Sequence, residues 1–428
     1  EGEINGLSNY TTISGATKIM GSTASNVNYG IISAITTEER ATVDDSLSDR
    51  KIIVEPKTNY SIGRFEFPIF NTISKVGLMG TNVIRENDVG ANVIGGDWNL
   101  KFLNNRLFSN GQIIRSNVDN NIGNAFRFNI GYLNADWWSA RIWFGTYDDK
   151  FDINDLGFIR RNNITWSGAR LALRRQEPWG HFIKNDLEFK YTQDWNGSGL
   201  ALEREVEIEQ SNLFSNYWRA GFFGKLFLPG FNDDDVFRDD NAWIYKTELW
   251  GYAGPSFSTD RRKKIIIGAD IGLGYGEKRG RGYRANLWMQ AKPIEPLNIE
   301  INAMQDRSPS YMQWVDIIEN VNDTIRVYAN SVLLTKDINM RLDWTFSPKL
   351  TFQCYMQPFY GNMDYKEFFR LKTPKTMDLR PYNYLGSAEN ENPDFRLFNT
   401  IGTFVLRWEY LPGSTMYLVY NLNQRSDY

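Results

Sequence analysis

Apolar and polar residues alternate with a period of two along most of this chain, in runs of about 10 to 16 residues, and helical periodicity is nearly absent. In Asp97-Trp98-Asn99-Leu100-Lys101-Phe102 the even positions are apolar and the odd ones polar. Arg127 and Asn129 separate Phe126, Phe128 and Ile130; Ile338, Met340, Leu342, Trp344 and Phe346 interleave with Asn339, Arg341, Asp343 and Thr345. Successive side chains of a strand point to opposite faces, so each run predicts a strand with one greasy and one polar face. Strands of soluble proteins have a modal length of roughly 5 to 6 residues, whereas a tilted strand crosses a bilayer with roughly 9 to 11. The pattern predicts an all-β chain of transmembrane strands.

The connections sort into two sets. Tight ones are read at Phe70-Asn71-Thr72, Leu103–Arg106, Asn134-Ala135-Asp136, Phe214-Ser215-Asn216, Lys292–Pro296, Ser347-Pro348-Lys349 and Leu411–Ser414. Longer polar ones are read near Arg85–Gly90, Asp148–Asp155, Gly230–Asp240, Ser308–Thr324 and Gly361–Phe395. Short turns on one side and long loops on the other are the asymmetry of an outer-membrane barrel. Trp137, Trp138, Trp179, Tyr217, Trp218, Trp344, Trp408 and Tyr410 crowd the tight turns, as aromatic girdles do at a membrane interface. Counting gives about twenty long strands over residues 1–428, read as one barrel domain, with 296–320 and 324–346 forming a hairpin that extends beyond the membrane. The runs at 13–22 and 414–425 carry no sign of being terminal strands. The expectation is that they do not close on each other, that a strand precedes Glu1 and another follows Tyr428, and that the complete barrel has about 22. The first dozen residues are predicted to be loop. Glu1 opens on polar sequence with no leader, which predicts a processed chain or an excerpt.

Composition narrows the remaining classes. Aromatics make up 15% of the 428 residues and the net charge is only −3, which excludes a disordered chain and gives no reason to expect nucleic acid. No apolar run reaches the roughly 18 residues of a membrane-spanning helix. A single cysteine, Cys354, excludes a disulfide framework and a thiolate metal site, and a single histidine, His181, removes most histidine-based catalysis.

The polar face carries the charge. Glu203, Glu205, Glu207 and Glu209 form a stripe opposite Leu200, Leu202, Val206 and Ile208; Lys190 with Glu188, and Arg219 with Lys225, lie on neighbouring polar faces. Opposite charges across strands stabilise by roughly 0.2–1 kcal/mol a pair. Arg204 falls on the greasy side, so it either reaches toward an interface or marks a register error.

Chemistry is sparse. His181, beside Pro178-Trp179-Gly180, reads as a turn residue, and Gly197-Ser198-Gly199 lacks the strand–elbow–helix setting of a hydrolase nucleophile. Gly272, Gly274, Gly276, Gly280 and Gly282 suggest a nucleotide loop only superficially, since no helix follows; they read as small residues along a strand and its loop. Asp233, Asp234, Asp235, Asp239 and Asp240, and Asp148, Asp149, Asp152 and Asp155, lack the spacing of a calcium loop and read as solvated loops. Cys354 lies with Phe352 and Met356 on the greasy face, where a thiol is inert. No catalytic, cofactor or metal residue is assigned.

Five stretches carry a resemblance: Ile13–Gly21 with Asn28–Ala34, Val76–Val83, Leu156–Asn162 and Leu406–Ser414. Together they resemble Gram-negative outer-membrane barrel proteins of unknown function that carry an N-terminal carbohydrate-binding family 9-like domain. The resemblance implies an outer-membrane barrel, a missing sugar-binding-like module and flanking strands; some members are labelled hydrolases, and no residue here supports that label. The expected function is transport, translocation or envelope assembly, with a link to carbohydrate. An outer-membrane hydrolase with a carboxylate site, or a scaffold anchoring a binding domain and partner proteins, are the alternatives left open. Expected partners are membrane lipid, lipopolysaccharide, envelope proteins and a glycan, and no cofactor is expected.

Overall fold

The structure, a computed structural model, describes residues 3–5, 11–45, 48–133, 135–237, 239, 242–320, 323–386 and 391–427. The fold is all-β and antiparallel, with a 21-strand sheet. Twenty of its strands are long and one, Leu379–Pro381, has three residues. In chain order the long strands are β1 (Ile13–Ser22), β2 (Asn28–Thr36), β3 (Thr58–Ile69), β4 (Asn71–Arg85), β5 (Ala91–Phe102), β6 (Leu107–Val118), β7 (Asn121–Tyr132), β8 (Trp138–Tyr147), β9 (Ile164–Arg175) and β10 (Phe182–Asn196). They continue as β11 (Ala201–Phe214), β12 (Arg219–Phe227), β13 (Trp250–Ser258), β14 (Ile265–Gly276), β15 (Gly280–Ala291), β16 (Leu297–Asn320), β17 (Asp323–Ser347), β18 (Leu350–Leu371), β19 (Phe395–Leu411) and β20 (Ser414–Asp427).

The chain divides into two compact units, residues 1–170 with 193–200, and residues 171–192 with 201–428. In the first, β1 to β8 pair consecutively, each with the next. In the second, β11 to β20 do the same. Period-two alternation on both sides of each pair gives sheets with two unlike faces. Trp98 lies 6.3 Å from Phe126, which lies 6.4 Å from Phe144, in a greasy row. Asp97, one residue away, is bound to Arg64 on the other face. The predicted sidedness of Trp98, Leu100 and Phe102 against Asp97, Asn99 and Lys101 is therefore the observed one. Likewise Leu342, Cys354 and Phe404 share one row, while Arg341, Tyr355 and Thr403 share the other.

Several connections differ from the predicted ones. Asp119 and Asn120, both with positive φ, close β6 and β7 in two residues on the side where long loops are predicted. Asn and Asp tolerate the left-handed conformation that such a turn demands. Residues 277–279 likewise close β14 and β15 tightly on that side. The connection read near Ser308–Thr324 is the end of the hairpin predicted from 296–320 and 324–346, since β16 runs to Asn320 and β17 starts at Asp323. Likewise β18 continues to Leu371, past the loop start read at Gly361. The N-terminal dozen is not all loop: Glu3–Asn5 pairs with Glu39–Asp45, which pairs with Ser48–Glu55. Asn134 and Asp240 lie outside the described residues.

The strands β16, β17 and β18 have 24, 25 and 22 residues, about twice what a bilayer crossing requires. Register shifts at Ser310/Gln313, Trp314/Asp316 and Ala329/Ser331 bend their far ends. There they gain a hydrophobic core of their own, in which Tyr328, Met312, Leu371 and Tyr245 are buried together. The segments that cover them are stitched to each other, Lys375 N–H donating to Ile244 O at 2.7 Å and Lys246 N–H to Thr376 O at 3.1 Å.

Candidate functional site

The polar face of the second unit is a charge ladder that runs into a hollow. Register fixes its rows. Glu205, Phe227, Trp250 and Gly276 stand side by side on β11 to β14; Glu207, Lys225, Tyr252, Gly274 and Gly282 form the next row. The third begins Glu209, Phe223, Gly254. Pro255 lacks an N–H, and bridging between β13 and β14 skips residues 254 and 255 before resuming at Ser256 and Asp270.

At the ladder, Lys225 Nζ lies 2.5 Å from Glu205 Oε2 and 3.0 Å from Glu207 Oε1. Lys190 Nζ approaches Glu207 Oε2 at 3.2 Å. Within the acidic stripe predicted from Glu203 to Glu209, Glu205 and Glu207 are thus paired with lysines, Glu207 from both sides. Arg204 is neither misregistered nor free. Its guanidinium donates to the carbonyl of Pro229, while its own carbonyl accepts from Leu228 N–H at 2.9 Å, so it pins the segment leaving β12.

Beside the ladder the aromatic rings are spoken for in an ordered way. Phe227 and Trp250 stack at 4.0 Å with planes 3° apart. Arg279 lies 4.3 Å from the Trp250 ring centroid and its Nε donates to Glu248 Oε1 at 2.9 Å; Lys225 lies 4.8 Å from the Phe227 ring. Both ends of this stack are capped by cations. Tyr252 and Phe223 meet edge to face at 6.3 Å. Next to them opens a hollow of about 470 Å³, whose lining includes Phe223, Tyr252, Asp270, Gly272, Gly274 and Arg284. On its far wall Arg284 Nε donates to Asp306 Oδ2 at 2.6 Å, and Ser308 Oγ donates to Asp306 Oδ1 at 2.6 Å. Asn286 Nδ2 donates to Asp270 Oδ1 at 3.1 Å.

Four of the glycines read as small residues along a strand and its loop, Gly272, Gly274, Gly280 and Gly282, thus line a cavity. Cross-strand proximity of Phe223, Tyr252, Arg284 and Asp306 was not anticipated. The available signal was the loss of side chains at alternate positions, Gly272, Gly274 and Gly276 with Gly280 and Gly282, on what the alternation marks as a polar face.

Other residues singled out from the sequence lie elsewhere. His181 is exposed in the turn between β9 and β10, and its carbonyl accepts from Ser215 N–H at 2.9 Å. Gly197-Ser198-Gly199 is a turn in which Ser198 Oγ donates to Asn196 Oδ1 at 2.7 Å. Asp148 accepts from Asn124 N–H at 2.7 Å, Asp152 from Asn154 N–H at 2.9 Å, and Asp155 pairs with Arg85, so these carboxylates fasten their own loop. Asp234 and Asp235 begin a short 3₁₀ turn, Asp234–Phe237. Among the described residues no three His, Cys, Asp or Glu side chains gather as a metal site would require.

The family described as a domain of unknown function, DUF5916, matches residues 1–428. No curated protein matches the chain.

Proposed function

The chain belongs to this family of unknown function, and we propose that it is an outer-membrane β-barrel of a Gram-negative bacterium acting in transport, translocation or envelope assembly. One observation carries the reading. On β14, Ile271, Leu273 and Tyr275 are 48%, 67% and 61% exposed, while Asp270, Gly272 and Gly274 occupy the other face beside the ion-paired ladder. The pattern repeats through both units, with Leu78, Ile94, Ile113 and Ile142 exposed in the first and Leu226 and Leu287 in the second. A water-facing surface rarely shows a contiguous apolar patch beyond a few hundred Å². Lipid on one side and water on the other accounts for both faces together.

Two further features support the proposal. Trp137, Trp179, Trp218, Trp408 and Tyr410 are exposed beside the tight turns, where a girdle would sit. On β20 apolar residues of both faces are exposed, for example Tyr417 and Leu418. Lipid and lipopolysaccharide contact the outer face, and the carbohydrate link implied by the resemblance belongs to the same proposal.

The test is extraction and electrophoresis of the protein from native membranes, followed by planar-bilayer recording. A detergent-dependent, heat-modifiable β-protein with measurable conductance is expected. A monodisperse species of the same strand content without detergent would sink the reading.

A further inference from the structure

We propose that the glycine-floored hollow on the polar face of β12 to β16 is a binding subsite for a neutral saccharide. The proposal rests on the reading of that face as the water-filled side of the wall, and adds to it a ligand class and a place.

Shape comes first. At about 470 Å³ the hollow falls within the range of ligand cavities. Side chains are missing where the register would otherwise fill it: Gly274 on β14 stands opposite Gly282 on β15, with Gly272 one polar-face position along. A Cβ placed on Gly274 would meet no atom nearer than 3.6 Å, so close packing does not require glycine there. What the glycine provides is open space against backbone, on which a flat ring can rest.

Chemistry comes second. Trp250 has cation on one face and Phe227 on the other, so it serves as a wall and not a platform. Tyr252 and Phe223, with Tyr275 and Tyr283, supply the remaining aromatic lining, which suits the apolar C–H face of a pyranose. Asp306 holds Arg284 through Nε alone, leaving the terminal nitrogens of a half-exposed guanidinium as donors in a fixed plane. Asp270 is held by Asn286 through Oδ1, which leaves Oδ2 outside that bond as an acceptor. An acceptor on β14 and a donor on β15, next to the aromatic edge on β12 and β13, match paired ring hydroxyls.

Charge comes third. Arg279 is matched by Glu248 and Arg284 by Asp306, so the two guanidinium groups do not form an anion site. The lining sets Arg279, Arg284 and Arg307 against Glu209, Asp270 and Asp306, so it carries no net positive charge to draw a phosphate or carboxylate. A neutral, hydroxyl-rich ring needs none.

The test is a titration of the full detergent-solubilised chain, followed by tryptophan fluorescence and calorimetry, with maltohexaose, cellohexaose and chitohexaose as probes and spermidine as a cationic control. Saturable binding of at least one hexasaccharide is expected. Gly274→Leu, which fills the floor, and Tyr252→Ala, which removes the ring, should each weaken it about fivefold or more. Arg284→Gln gives a third variant if either of these fails to fold, as judged by heat modifiability. Absence of saturable binding by all three glycans, binding unchanged in the folded variants, or binding of spermidine in their place would overturn the proposal. Glycan binding by a protein that needs no detergent would keep this site and remove the membrane reading; a detergent-dependent protein that binds no glycan would do the reverse.

Discussion

Arg64 on β3 reaches across β4 to Asp97 on β5, its Nη1 and Nη2 donating to the carboxylate at 2.7 and 3.0 Å, over the one position between them that has no side chain, Gly77. A Cβ on Gly77 would lie 2.5 Å from Asp97 Oδ2 and 2.9 Å from Arg64 Nη2. The ion pair exists because the intervening strand yields that space. Glu66 joins it, 3.7 Å from Arg64 and 2.5 Å from Lys75.

Gly77→Ala should therefore act as a loss of the Arg64–Asp97 pair. Since both partners are partly exposed, the expected destabilisation is about 1 kcal/mol, and Arg64→Ala on the Gly77→Ala background should add little. Urea unfolding in lipid vesicles measures both. Additive losses in the double variant would show that the glycine serves something other than this pair.

Lys225 bridges two carboxylates, and Glu205 is nearly buried. Lys225→Met should cost about 1–3 kcal/mol by leaving the nearly buried Glu205 without its cation beside a Glu207 held by Lys190 alone, and adding Glu205→Gln with Glu207→Gln should recover most of it. If the triple variant is no more stable than Lys225→Met, the lost cation is not the cause.

Buried Tyr328 has no hydrogen-bond partner for its hydroxyl among the described residues. Tyr328→Phe should then be neutral within about 0.5 kcal/mol or slightly stabilising, because no bond is lost and one desolvated hydroxyl is removed. Tyr328→Ala should cost about 3–5 kcal/mol locally, opening the far end of the β16–β17 hairpin to protease while the strands β11 to β15 stay protected. Equal protease sensitivity of the two variants would contradict the packing role.

How far the sequence reveals this fold depends on the range of the interaction. The greasy and polar faces of β5 and β14 can be read from six or seven consecutive residues, because sidedness in a strand is a local property. The same holds for the turn roles of His181 and Ser198. The core around Tyr328 cannot be read that way. It is assembled from residues near 245, 312 and 371, and nothing within the β17 sequence distinguishes the part that packs into this core from the rest of the strand. Glu3–Asn5 is hidden for the same reason, since its partner strand lies in the connection after β2. The hollow is half legible: alternate glycines on a polar face announce missing side chains, but only the register brings Tyr252 and Arg284 to its opposite walls.

Arg262 holds the Asp260 carboxyl down to about 2, chiefly through its Nε and Nη2 at 2.9 and 2.8 Å, with its backbone N–H adding a third bond at 3.0 Å. Its ordinary value is 3.8. A depressed carboxyl contributes stability that is fully present above its unfolded value and is lost as pH falls through the folded one. The advantage of the wild type over Asp260→Asn should stay constant from about pH 7 to about pH 4, then shrink and disappear near about pH 2. Denaturation midpoints of the two proteins across that range give the answer; a difference that persists unchanged below about pH 2 would contradict the assignment.

The central claim is that one face of this sheet meets lipid and the other water. Nitroxide labels placed one at a time at residues 271 to 275 of β14, in protein reconstituted into phospholipid vesicles, test it most directly. Labels at 271, 273 and 275 should relax mainly with oxygen dissolved in the bilayer, and those at 272 and 274 with a water-soluble nickel chelate, in strict alternation. Equal access of the nickel chelate to all five positions would contradict the account.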